Sequence, residues 1–193
     1  GGDLELKQKT GCIVVGAAAD AERIPGIEIT VDETEFFRFG THEIQVLNTP
    51  GHTSGHIVYR FLTHNIAFVG DTIFSLGCGR LFEGTAEQMW NSLQKIMSWP
   101  DHTLIYCAHE YTESNARFAL SIEADNPELV SRANRVNELR AEGKPTIPTS
   151  LKIEKLTNPF LRPDSESIRK TLNMENAGDV EVFAAIRSRK DSF

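Results

Sequence analysis

Three segments of this chain share one arrangement: a short apolar run, then a side chain able to hold a metal, set in a loop. Ile44 to Leu47 runs into Thr49-Pro50-Gly51-His52. Ile66 to Val69 runs into Gly70-Asp71-Thr72, and Leu104 to Cys107 into Ala108-His109-Glu110. Strand ends along one sheet edge are where α/β folds place their chemistry, because rigid strands there hold variable loops. Two imidazoles and one carboxylate converging from three such ends suit zinc, iron or manganese. Each side chain also has a plainer use. A lone strand-end histidine is more often solvated or capping than ligating, and Asp71 can bond backbone amides of its own turn. His56, four residues after His52, is an equally legal ligand by chemistry, and spacing does not choose between them. Three such donors are also too few for a two-metal site.

Gly77-Cys78-Gly79-Arg80 is a glycine-flanked loop with one cation. Glycines let backbone approach a ligand closely, and arginine pairs a carboxylate through two parallel hydrogen bonds. Cys78 is a possible nucleophile with His109 as its base, provided the two side chains meet. Near the end of the chain, Arg187-Ser188-Arg189-Lys190 concentrates positive charge. As a solvated helix end favoured by the helix dipole it needs no function; as an anion site it would complement Arg80.

The elements that must carry these residues follow from periodicity. Asp3 to Lys9 reads as the tail of a helix and Cys12 to Val15 as a short strand. Glu35 to Phe39 and Glu43 to Leu47 flank Gly40-Thr41 as a hairpin. His56 to Phe61, Asn65 to Val69 and Thr103 to Ala108 are further strands. Thr85 with Gln88 forms a capping box ahead of a helix to Trp99, with Met89, Leu93, Ile96 and Met97 on its apolar face. After Tyr111 the pattern turns helical. Thr112 to Glu123 is one helix; a second is opened by Asn126-Pro127 and stopped by Gly143. Lys144 to Arg162, punctuated by proline, reads as extended, and Asp164 to Leu172 and Val180 to Arg189 as two short helices. Two parts result: a β-rich part over 1–111 and a helical part over 112–193.

Composition narrows the function. The 193 residues carry a formal charge of −7, with 40% hydrophobic and 24% charged residues. That balance fits an ordinary globular protein and not a disordered or fibrous one. The acidic surplus argues against a nucleic-acid surface, which needs clustered Lys and Arg. No apolar run approaches the ~20 residues of a membrane span. The absence of a charged-then-apolar leader, and three cysteines (Cys12, Cys78, Cys107) that cannot all pair, point to reduced thiols in the cytoplasm.

Taken together, Thr49-Pro50-Gly51-His52-Thr53, Gly70-Asp71-Thr72, the run Gly77 to Thr85, His109-Glu110-Tyr111 and Arg187-Ser188-Arg189-Lys190-Asp191 closely resemble the glyoxalase II (hydroxyacylglutathione hydrolase) family of the metallo-β-lactamase superfamily. The first two motifs are shared widely in the superfamily; the others are more specific. The resemblance implies a four-layer αβ/βα sandwich followed by a helical, substrate-binding domain. It implies two divalent metals, zinc or else iron or manganese, with His52 on the first, His109 on the second and Asp71 bridging both as the catalytic carboxylate. His56 then supports the loop instead of ligating. Arg80, Tyr111, Arg187 and Lys190 would contact glutathione. Phe82 stands where some relatives have tyrosine, which implies one substrate contact fewer.

The resemblance further implies hydrolysis of S-D-lactoylglutathione to glutathione and D-lactate by a metal-bound hydroxide. One departure qualifies it. The family's Thr-His-x-His-x-Asp-His motif, which supplies four more ligands, normally precedes a glycine pair like Gly1-Gly2, and no other stretch here replaces it. The sandwich is therefore expected to lack its leading strands, and these 193 residues alone to bind metal weakly and be inactive. The alternatives are an inactive fragment, a metal-free glutathione-binding module, or another metallo-β-lactamase-fold enzyme such as a persulfide dioxygenase or lactonase. The Gly77 to Thr85 run and the C-terminal helices disfavour the last. Oligomeric state is not legible.

Overall fold

The computed structural model describes residues 2–33 and 36–193. Helix α1 (Asp3–Thr10) leads to strand β1 (Val15–Ala17), which pairs in parallel with β2 (Ile29–Val31). Strands β3 (Phe36–Phe39), β4 (His42–Asn48), β5 (Ile57–Phe61) and β6 (Ile66–Gly70) form an antiparallel meander. A two-stranded hairpin follows, β7 (Ile73–Phe74) with β8 (Gly77–Cys78). Helix α2 (Ala86–Met97) then crosses over to β9 (Leu104–Cys107), which lies parallel to β6. The main sheet has six strands in the order β10-β9-β6-β5-β4-β3, closed at one edge by the short β10 (Thr149–Ser150). The remaining helices are α3 (Thr112–Ile122), α4 (Pro127–Ala141), α5 (Leu151–Thr157), α6 (Glu166–Leu172) and α7 (Asp179–Asp191).

The β period of two decides which face of the sheet is inside. In β6, Ala67 and Val69 are fully buried whereas Phe68 between them is exposed. Ala67, Val69, Val58 and Ile105 meet the apolar stripe Met89, Leu93 and Ile96 of α2 in the main core. That helix starts where expected: Thr85 accepts from the Gln88 N–H, and the Gln88 side chain accepts from the Thr85 N–H. Helix α7 extends the core outward, with Phe183 against Trp90 at 5.9 Å between ring centroids. On the opposite face Phe68 stacks on Tyr106 and meets Phe61 beside an open apolar groove of about 770 Å³.

The structure departs from two sequence expectations and leaves part of a third outside it. Lys144 to Arg162 is not extended: Ser150 caps α5 by accepting the Ile153 N–H, and a 3₁₀ turn (Pro159–Leu161) follows. Pro145, Pro148 and Pro159 lie outside that helix and bound it instead of forbidding it. The first strand falls at Val15–Ala17, later than Cys12 to Val15, because its partner at Ile29–Val31 pairs with that register. The hairpin is present with β3 from Phe36, and Glu35 lies outside the described residues.

Candidate functional site

The loops after β4, β6 and β9 open onto one cavity of about 450 Å³, and His52, Asp71 and His109 all line it. The two imidazoles meet different oxygens of one carboxylate. His109 Nε2 lies 3.2 Å from Asp71 Oδ1, and His52 Nε2 lies 3.8 Å from Asp71 Oδ2. The His52 Nδ1–H donates to the Arg80 carbonyl at 2.8 Å, an acceptor that fixes the tautomer. Its Nε2 lone pair is thereby turned toward Asp71, as in an imidazole prepared to ligate.

His56 is placed differently. Its Nε2 accepts the Asp71 backbone N–H at 3.0 Å, and its Nδ1 faces the Thr72 and Thr49 hydroxyls at 3.1 and 3.3 Å. Burial lowers its pKa, so it is held neutral as an internal strut under Asp71. Close packing makes glycine obligatory nearby: a Cβ on Gly79 would fall 2.0 Å from the Asp71 carbonyl oxygen. One on Gly70, where φ is +50°, would fall 2.7 Å from the His56 ring.

Arg80, Tyr111, Arg187 and Lys190 line the same cavity, so these four and His52, Asp71 and His109 are brought together there, whereas His56 is not on its wall. Their circumstances differ. Tyr111 lies flat on the His109 ring at 4.9 Å between centroids and is half exposed. Arg80 is exposed, with Nε donating to Asp191 at 3.0 Å. Arg187 is buried: it donates to the Cys78 carbonyl at 2.9 Å and to the same Asp191 oxygen at 3.0 Å, over the Phe160 ring. Its buried Nε has no acceptor among the described residues. Lys190 Nζ sits 5.2 Å from both the Phe118 and Phe193 rings and reaches only Ser114, with its pKa lowered chiefly by burial. Among the described residues it makes no ion pair. Asp191, read in the sequence only as the end of the Arg187-to-Asp191 motif, ties Arg80 to Arg187. Asn115, which also lines the cavity, carried no sequence signal, because its partner Ser75 is 40 residues away.

The sulfur chemistry is unfavourable. Burial pushes the Cys78 thiol up to about 11, and Arg187 beside it offsets this only in part. Without an accessible thiolate it is a poor nucleophile. The three cysteines are free thiols.

The donor types fit divalent metals: two neutral-capable imidazoles and a carboxylate offering one oxygen to each. Their number is small. Among the described residues no three His, Cys, Asp or Glu side chains close on one point, so the donors form two pairs that share Asp71. Among the same residues no helix is long and apolar enough to cross a membrane.

A mixed sheet with two histidines and an aspartate between them at its strand ends defines a class, and residues 2–109 match the model of the metallo-β-lactamase superfamily. Residues 110–193 match the model described as the hydroxyacylglutathione hydrolase C-terminus. A hydroxyacylglutathione hydrolase of Methylococcus capsulatus is 54% identical over 100% of this chain and 75% of its own length. One of Maricaulis maris shows the same identity and coverage. The chain thus belongs to the hydroxyacylglutathione hydrolase family. Among solved structures, ETHE1 from Myxococcus xanthus superposes with a TM-score of 0.60 at 26% identity, over 99% of this chain and 71% of that one. TTHA1623, solved in a di-iron-bound form, shares the fold with a TM-score of 0.56 at 20% identity, over 83% of this chain and 71% of its own.

Proposed function

We propose that this protein hydrolyses the thioester of S-(2-hydroxyacyl)glutathione, S-D-lactoylglutathione being the intended substrate, to glutathione and a 2-hydroxy acid, D-lactate. The observation that carries the reading is a single cavity holding an imidazole–carboxylate–imidazole set beside a cationic and aromatic wall. In this reading His52 would hold one divalent ion, His109 the other, and Asp71 would serve both; zinc, iron and manganese all suit such donors. When bound, the ions supply an acidified water and positive charge for the developing oxyanion. His56 keeps Asp71 in register through its backbone N–H. Arg80, Tyr111, Arg187 and Lys190 hold the glutathione portion, whose carboxylates suit the guanidinium and ammonium groups. Water adds across the C–S bond. The thiol leaves as thiolate with little acid help, since its pKa is near ~8.5. Free thiols support a cytoplasmic setting.

A second reading is favoured by one observation: two protein donors per ion, among the described residues, is a weak hold. In that reading these 193 residues alone bind glutathione without metal and without turnover. Loss of S-D-lactoylglutathione thioester absorbance, with and without chelator, tests the first. Glutathione calorimetry under both conditions tests the second. Chelator-sensitive turnover by the 193 residues supports the hydrolase and removes the second reading; chelator-insensitive binding without turnover supports the second. Neither turnover nor glutathione binding would overturn both.

A further inference from the structure

Glu154 does not line the cavity, yet its fully buried carboxylate is bonded on both oxygens. Oε2 accepts from the Leu76 backbone N–H at 2.9 Å and from Asn158 Nδ2 at 3.0 Å. Oε1 accepts from the Thr149 hydroxyl at 2.6 Å and from the Arg132 guanidinium. All four partners donate, so only a group that accepts at both oxygens satisfies them. A buried carboxylate is costly unless paired and bonded in this way.

What Glu154 grips is the turn between β7 and β8. Leu76 there has φ +60°, a left-handed conformation that an L-residue with a side chain adopts only at a steric cost. It is held by side chains from the helical part. Asn115 of α3 donates to the Ser75 carbonyl at 3.0 Å, and Arg132 of α4 to the Ser75 hydroxyl at 2.9 Å. Asn158, which ends α5, donates to the Phe74 and Gly77 carbonyls at 3.3 and 3.0 Å. The Leu76 side chain is buried against Ala116, Ala119, Leu129 and Ala133. The two strands leaving this turn put Phe74 and Cys78 on the cavity wall, and Arg80 follows two residues later.

We propose that Glu154 is a positioning residue: its acceptor oxygens lock the Leu76 turn, and the turn sets Phe74, Cys78 and Arg80 in the geometry that receives the glutathione portion of the substrate. The ligand named here rests on the function proposed above; the locking of the turn does not. The metal-capable residues His52, Asp71 and His109 sit at the ends of β4, β6 and β9. Loss of Glu154 therefore acts on ligand affinity before it acts on them.

The test compares Glu154→Gln, Glu154→Asp and Thr149→Val with the wild-type 193-residue chain. Glutamine turns an NH₂ toward donors. Aspartate keeps a carboxylate for Arg132 and Thr149, which protects folding, but is one methylene short of Leu76. Thr149→Val removes the hydroxyl that donates to the far oxygen and accepts from Arg132 at 3.0 Å, and leaves the Leu76 bond to Oε2 intact. Glutathione affinity is read by calorimetry and local order by amide hydrogen exchange. Expected is a roughly 10–100-fold loss of affinity in both Glu154 variants. Faster exchange should be confined to residues 74–78, with β5 and β6 still protected, and Thr149→Val should lower the melting temperature with affinity unchanged. Folded Glu154 variants with wild-type affinity and wild-type protection at residues 74–78 would overturn the proposal. So would affinity that merely follows melting temperature across the three variants. If the wild-type chain does not bind glutathione, the glutathione reading falls, and exchange at residues 74–78 alone decides whether Glu154 locks the turn.

Discussion

The backbone N–H of Asp71 donates to Nε2 of His56 at 3.0 Å, which takes the second histidine of the Thr49-to-His56 loop out of competition as a ligand. Its lone pair is committed and its other nitrogen faces two threonine hydroxyls. His52 keeps its Nε2 free toward Asp71.

The two histidines should respond differently to alanine. His52→Ala removes one donor and should abolish binding of one zinc ion while sparing the other. His56→Ala removes no donor but unseats Asp71, which in the proposed reading serves both ions, so both zinc affinities should fall about 10–100-fold with stoichiometry kept. Zinc calorimetry separates the cases. Loss of one zinc equivalent in His56→Ala would make it the ligand instead.

Gly79 and Gly143 offer a second contrast. A Cβ at Gly79 would lie 2.0 Å from the Asp71 carbonyl oxygen, a backbone atom that cannot rotate away. At Gly143, where φ is +69°, no atom lies within 4 Å and only conformational strain opposes a side chain. Gly79→Ala should cost about 3 kcal/mol or more by overpacking, and disturb Asp71 as well. Gly143→Ala should cost about 1 kcal/mol. Urea unfolding measures both, and equal losses would show that the Asp71 backbone is freer to shift than this contact implies.

How much of this was legible in the sequence depended on the range of the signal. His52, Asp71 and His109 end apolar strands, and the Thr85–Gln88 and Asn126–Pro127 caps are local chemistry that folds as written. Helix α5 was hidden because neighbouring prolines suggested extended chain, while its own Ser150 cap is a weak cue. Strand β2 was hidden because its partner lies in β1, with a 3₁₀ turn between them. Glu154 is an unremarkable acid in a short amphipathic run. Its meaning comes from Leu76, 78 residues earlier, and that relation exists only once the chain has folded.

Phe82 is exposed at the cavity rim, its ring 5.0 Å from that of His52. It fills the wall without offering a hydrogen bond. Phe82→Tyr adds a hydroxyl to a surface that already carries Arg80 and Tyr111, with no steric cost at an exposed position. One new hydrogen bond is worth about 0.5–1.5 kcal/mol, so glutathione should bind roughly 2- to 10-fold more tightly. Calorimetry on the variant decides it; unchanged affinity would place the peptide portion of glutathione away from residue 82.

Glu83 gives a pH dependence with a definite sign. Hydrogen bonds from Arg23, at 3.1 and 2.7 Å, and from the Ser54 N–H and hydroxyl, at 2.8 and 2.9 Å, lower its pKa from 4.5 to about 2. A carboxyl group whose pKa is lowered by folding adds stability above its unfolded value and loses it as pH falls through its folded value. The stabilisation from Glu83 should therefore be complete above about pH 5 and disappear between about pH 4.5 and pH 2. In Glu83→Gln the charge is absent throughout. The wild-type melting temperature should exceed that of the variant at pH 7 and converge with it near pH 2. Because the pair is exposed, 1 M salt should narrow the gap at pH 7. A gap that persists unchanged at pH 2 would mean that Glu83 acts through shape and not charge. The tie between Arg23 and the Ser54 loop would then be packing alone.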